Sequence, residues 1–359
     1  MDTVVKAFSF DLSNTDYMLK KIGIVSMVIA ILLAIGYMLG PRERTADLAG
    51  EYPEVPFNLT ELENYVRLRE DTVRGLKPDN EAKIVWLDSL NKQKTEYAFV
   101  YIHGFGASEK EGHPIHRELA QYYGANLYLA RLPEHGIKRE DALKHLTAQD
   151  LADSAREAFS IGKSLGEKVV IIGTSMGGAL SLMLASEQAD IAAIVLYSPA
   201  IRDFGGRLDL FFNPWIKNIM ENYYTDNGVV RIPREGDMAK YWMEEQHVNG
   251  FTSLAVLLKS KMTPETFSKI TQPLFMGYYY EDDEHQDFVV SVPAMLEMFE
   301  SIETPEHLKM KMSFEQADNH VIGSQITSEE WENVLEATKY FLSNTVGITV
   351  PIEQIILTD

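Results

Sequence analysis

The chain predicts an α/β fold with a mostly parallel sheet covered by helices on both faces. Three observations carry this. Short apolar runs alternate with longer amphipathic ones. The run Tyr97–His103 is apolar on both faces, as in a strand buried from two sides. Finally, Val169-Val170-Ile171-Ile172 leads directly into Gly173-Thr174-Ser175-Met176-Gly177 and then a helix-forming stretch from Ala179.

The elements follow in order. Ile22–Leu39 is almost wholly apolar, bounded by Lys20-Lys21 and by Pro41-Arg42-Glu43-Arg44. Eighteen residues at ~1.5 Å each reach about 27 Å, close to a hydrocarbon core of roughly 30 Å. It is read as a membrane anchor over 22–40 behind a short tail, 1–21, in preference to a cleaved signal or a core helix. Three lysines precede it and two arginines follow, which leans toward the main domain lying outside. A polar, proline-bearing stretch, 41–57, reads as a linker, and the domain as 58–359. An amphipathic helix over 58–74 opens it. Strands are predicted at 83–87, 97–103, 126–130, 168–172, 191–197, 273–279 and 308–314. Helices are predicted over 147–165, after Ser175 to about Glu187, and over 328–342. Between about 201 and 269 the alternation stops in a stretch rich in aromatics and methionine, among them Phe211, Trp215, Tyr223, Tyr224, Trp242 and Phe251. That stretch is expected to be a helical cap over a site.

Composition excludes several functions. The net charge of −20 opposes a nucleic-acid partner, whose phosphates it would repel. The absence of cysteine excludes disulfides, thiolate metal sites and cysteine nucleophiles. His113 and His116 share a helical face but lack a third metal ligand nearby, and the glycines after His103 are not followed by a P-loop lysine. No cofactor or metal is therefore expected.

Ser175 between Gly173 and Gly177, after a strand and before a helix, has the layout of a strained turn that exposes a nucleophile. A serine hydroxyl needs an imidazole base, itself oriented by a carboxylate. In chain order the acid comes next and the histidine last. His320 lies just after the strand at 308–314 and before the last helix, where a base would be carried. The acid is expected after the strand at 273–279, in Tyr280-Glu281-Asp282-Asp283-Glu284-His285-Gln286-Asp287. Asp282, in the first residues of that loop, is the choice; Asp283 is the near alternative and Asp203 a distant one. Two N–H donors are needed for the oxyanion, one from Met176 and one from Phe105 in His103-Gly104-Phe105-Gly106. His135 is expected to shape its own loop or line the entrance.

These residues resemble the α/β-hydrolase superfamily, in particular its carboxylesterase and monoacylglycerol-lipase-like branch. The matching pieces are His103-Gly104-Phe105-Gly106, Arg131-Leu132-Pro133-Glu134-His135-Gly136, Gly173-Thr174-Ser175-Met176-Gly177-Gly178 and Asn319-His320. The chain departs from the pattern at Glu134, where the branch usually carries glycine, and in the acid loop. The resemblance covers about 97–342 and implies Ser175 as nucleophile, His320 as base, an acid in the post-strand loop and a cap. Together with the apolar segment and the aromatic, methionine-rich stretch, it leads to the expectation of a membrane-anchored serine hydrolase of carboxylic esters, with apolar or lipid-derived acyl esters as expected substrates. Thioester, amide and acyl-transfer chemistry would use the same groups. A non-catalytic, membrane-tethered binding protein on the same scaffold is the alternative of another class.

Overall fold

The computed structural model describes residues 12–351. The predicted tail, 1–21, therefore falls partly outside the described residues.

A long helix, α1 (Leu12–Met38), opens the described chain, and α2 (Leu59–Asp71) follows after an irregular stretch. Asn58 caps α2 by accepting from the amides of Thr60 and Glu61. The strands are β1 (Lys83–Val85), β2 (Thr95–Ile102), β3 (Asn126–Leu129), β4 (Gly166–Thr174) and β5 (Ile191–Tyr197). Helix α3 (Ile115–Tyr122) joins β2 to β3, α4 (Ala148–Leu165) precedes β4, and α5 (Met176–Glu187) joins β4 to β5. The insertion after β5 contains α6 (Ile216–Ile219), β6 (Val229–Arg231), α7 (Gly236–Tyr241), β7 (Glu245–His247), α8 (Val248–Lys261) and α9 (Pro264–Phe267). The sheet resumes with β8 (Leu274–Tyr278), α10 (Val292–Ser301) and β9 (Lys309–Ser313), and α11 (Trp331–Tyr340) closes it.

Seven strands form the main sheet in the order β1-β3-β2-β4-β5-β8-β9, and only β1 runs antiparallel. The carboxyl ends of β2, β4, β5, β8 and β9 therefore share one edge of the sheet. That edge is where an open α/β sheet presents its ligand-facing loops. Two apolar cores cover the faces. Ala98, Val100, Ile171 and Leu196 face α4, α5 and α8, whereas Phe99, Tyr101, Ile172 and Phe275 face α3 and α11. This double burial is why β2, β4 and β5 read as unbroken apolar runs.

Two expectations need correction. The insertion is not purely helical: β6 and β7 form a separate two-stranded antiparallel ribbon. Nor is it wholly a superstructure, because Leu254, Leu257 and Leu258 of α8 are buried in the larger core. The stretch 41–57 is also not a free spacer. It has no regular structure, yet Leu48 is buried, Ala46 N–H donates to Ser260 Oγ at 3.0 Å, and Tyr52 packs edge-on against Phe159. The Leu48 carbonyl accepts from the guanidinium of Arg156, whose side chain is fully buried.

Among the described residues, one helical segment, Asp16–Met38, is long and apolar enough to cross a membrane, and its side chains are exposed. Its end leans on the insertion: Trp215 Nε1 donates to the Gly36 carbonyl at 3.1 Å, and Trp215 N–H donates to Pro41 O at 2.8 Å.

Candidate active site

The turn from β4 to α5 is set by how little room it has. A Cβ at Gly177 would sit 1.9 Å from the Ile102 carbonyl oxygen, and one at Gly173 would sit 2.5 Å from the Gly177 carbonyl oxygen. Both approaches are far inside contact distance, so only glycine fits at either side of Ser175. Ser175 itself takes φ 53° and ψ −118°, outside the regions an L-residue prefers. Its backbone is over-determined: its N–H donates to Tyr197 O at 3.0 Å, and its carbonyl accepts from Ala179 and Ala200. Met176 is the first residue of α5, where an amide has no acceptor within the helix.

His320 is carried to the same edge by the loop after β9. Its Nδ1 lies 2.6 Å from Asp287 Oδ2. The other ring nitrogen, Nε2, is buried and has no hydrogen-bond partner among the described residues. Asp287 is itself buried, and its Oδ1 accepts from the amides of Val289 and Val290 at 2.8 and 3.0 Å. Burial alone would raise the Asp287 carboxyl, but the His320 charge, its hydrogen bond and the two amides outweigh it and hold the group below the usual range. For His320, burial works against the charged form, and the Asp287 charge and hydrogen bond overcome it, so its pKa is raised.

The expected acid, Asp282, is not in this arrangement. It is exposed, and its Oδ1 is occupied by the amides of Glu284 and His285 and by the His285 ring. It closes its own turn. Asp283 accepts from Tyr280 Oη at 3.2 Å, and Asp203 accepts from the amides of Arg207 and Leu208. The loop after β8 runs further than a short strand-end turn: Glu281 and Asp282 N–H donate to the His285 carbonyl, so the chain doubles back before Asp287. One signal in the sequence could have found Asp287. It is the only carboxylate of the loop followed at once by an apolar run, Phe288-Val289-Val290, whose last residue is buried in the core.

The loop after β2 abuts the nucleophile. A Cβ on Gly104 would lie 3.0 Å from Ser175 Cβ, so the bare Gly104 backbone is what makes room there. His103 is buried; Leu132 N–H donates to its Nε2 at 3.1 Å, and its Nδ1 lies 2.8 Å from the Gly104 carbonyl. With Nε2 accepting, Nδ1 carries the proton and donates. Burial keeps His103 neutral, with its pKa pushed down to about 3. In a trans peptide the carbonyl and the next N–H point opposite ways. Fixing Gly104 C=O therefore also fixes the direction of the Phe105 N–H. The Phe105 ring packs at 5.0 Å from Phe251 of α8 and edge-on at 5.6 Å from His135, tying the loop to the insertion. His135 is buried and shapes its own loop through Pro133 O at 2.8 Å. Ala107, Trp242 and Val321 form a small cluster that joins the loop after β2, the insertion and the residue after His320.

Among the described residues no group of His, Asp and Glu is placed to hold a metal ion. His116 is paired with Glu109 at 3.2 Å, apart from His113 in role.

A mostly parallel sheet, a strained serine turn and an Asp–His pair on the loops at its carboxyl edge define the α/β-hydrolase class of architecture. The sequence pattern of the Alpha/beta hydrolase family matches residues 99–316, and the chain belongs to that family. It is 32% identical over 100 residues to a thermostable monoacylglycerol lipase of Bacillus sp. (strain H-257), a stretch covering 28% of this chain and 39% of that lipase. The chain thus matches well under half of that relative's length. Its fold is similar to that of LipS and LipT, described as metagenome-derived lipolytic enzymes: TM-score 0.59 and 18% identity over 74% of this chain and 98% of the other. It is also similar to a Paleococcus ferrophilus monoacylglycerol lipase, at TM-score 0.52 and 18% identity over 73% and 98% of the two chains.

Proposed function

We propose that the protein is a serine hydrolase of carboxylic esters, with Ser175 as nucleophile, His320 as general base and Asp287 as the orienting acid. The observation that carries this reading is the 2.6 Å bond from Asp287 to His320 Nδ1, which leaves the buried Nε2 free, on the sheet edge that also bears Ser175. His320 Nε2 takes the Ser175 Oγ proton as Oγ bonds to the ester carbonyl carbon. The imidazolium then returns that proton to the departing alcohol. Water, deprotonated by His320, attacks the acyl-enzyme and releases the acid. The Phe105 and Met176 amides are assigned to the carbonyl oxygen as it becomes an oxyanion.

Apolar acyl esters, lipid-derived ones among them, are the proposed substrates. Phe105 and Phe251 give the insertion an aromatic contact beside the serine loop, and the relatives named above include monoacylglycerol lipases. Helix α1 is proposed as the membrane anchor. A serine-directed fluorophosphonate tests the chemistry: it should label the wild-type protein and not Ser175→Ala. Equal labelling of the two, or none of the wild type, ends the reading. A series of p-nitrophenyl esters tests the substrate class, with preference expected for longer acyl chains and the shortest acyl chain as the contrary result.

A further inference from the structure

Glu111 has no part in the chemistry above, yet it lies against it. It belongs to the turn Glu109–Gly112 that follows the Phe105 loop, and it is almost wholly buried. Gly112 presses this turn against β2 so closely that a Cβ there would lie 2.4 Å from the Tyr101 ring. The carboxyl is thereby directed at the loop after β2. Its Oε2 accepts the Gly104 N–H, and the single proton of Tyr101 Oη is shared between Glu111 Oε2 at 3.3 Å and Thr174 Oγ1 at 3.1 Å. The site where a Gly104 Cβ would stand is 2.8 Å from Glu111 Oε1 and 3.0 Å from Ser175 Cβ. A carboxyl is thus wedged one glycine away from the nucleophile.

Gly104 has no side chain by which the fold could hold it. Its carbonyl is held by His103 and its amide by Glu111. We propose that Glu111 is a positioning residue of the oxyanion site: with His103, it clamps both polar groups of Gly104 and so fixes the Phe105 N–H. This rests on the serine-hydrolase reading.

The groups facing Glu111 come from every segment of the site. Tyr101 lies on β2, the Gly104 amide on the loop after it, His320 on the loop after β9 and Arg234 on the insertion. Its neighbour Glu109 faces the other way, toward His116, Arg117 and Lys110. Burial pushes the Glu111 carboxyl up to about 7, against the Gly104 amide, His320, Tyr101 and Arg234, which pull it down. Conversely, Glu111 is one of the charges that raise His320.

The test is kcat and KM for Glu111→Ala and Glu111→Gln, with rates expressed per fluorophosphonate-labelled serine so that misfolded protein does not count. Loss of the clamp in Glu111→Ala should lower kcat roughly 10- to 100-fold with KM little changed, somewhat less than removing an oxyanion donor outright. The glutamine carbonyl can still accept the Gly104 N–H, so Glu111→Gln should recover kcat to within about threefold. An alanine variant within threefold of wild type, or a glutamine variant no better than alanine, overturns the inference. Should Glu111→Ala fail to fold, Glu111→Leu, which fills the space without an acceptor for the Gly104 N–H, should show the same loss of kcat, and a leucine variant within threefold of wild type overturns the inference. Absence of labelling in the wild type removes the hydrolase reading itself, whereas labelled, fully active Glu111 variants remove only this inference.

Discussion

The turn that holds Ser175 and the loop that holds Asp287 reach the same sheet edge by opposite means. The serine turn is fixed locally: two glycines, a left-handed serine and the Ile102 carbonyl leave a single path for the chain. The loop after β8 has several carboxylates and no such constraint in its own sequence. Which of them meets His320 is decided by where the chain re-enters the core, at Val290. Local crowding can be read from a few neighbouring residues. Selection by burial depends on the rest of the fold.

This contrast can be broken most severely at the serine. Ser175→Ala should abolish turnover by roughly 10⁶-fold, as removal of a triad nucleophile does elsewhere, measured by ester hydrolysis at unchanged thermal stability. Next comes the acid. Asp287→Asn should lower kcat by about 10⁴-fold by favouring the wrong imidazole tautomer, whereas Asp282→Asn should stay within about threefold because Asp282 serves an exposed turn. The reverse order would return the acid to the front of the loop. Gly177→Ala tests the crowding of the serine turn. Its Cβ would meet the Ile102 carbonyl at 1.9 Å, so a loss of at least about 3 kcal/mol in denaturant titration is expected. A mild effect would mean the turn yields. The smallest effect is in pH dependence. His320 must be neutral to act as a base, and its pKa is raised by Asp287, so the acid limb of kcat/KM should lie above the ordinary imidazole range. An acid limb at or below that range would mean that Asp287 and Glu111 do not outweigh burial.

Much of the architecture was legible because both faces of the sheet are covered. β2, β4 and β5 announce themselves as apolar runs, and β5 spans Ile191–Tyr197, as read from the sequence. The serine turn was legible for the steric reason given above. The ribbon β6–β7 was not, because its two strands are three residues each and neither alternates clearly. Asp287 was missed because counting from the end of a strand presumes a short, direct loop, and this one doubles back through His285. Glu111 was missed because a lone glutamate in a charged stretch, Glu109-Lys110-Glu111, looks like solvated surface until Gly112 and Tyr101 are brought together.

The irregular strap at 41–57 bears on where this chain can be cut. Arg156 has its guanidinium shared among the Leu48 carbonyl, Asp153 and Glu187, with no exposed surface of its own. Trimming the protein back to Asn58 to free it of its apolar helix would strip one of those acceptors and open the Arg156 cavity to water. A trimmed form beginning at Pro41 keeps the Leu48 carbonyl on Arg156.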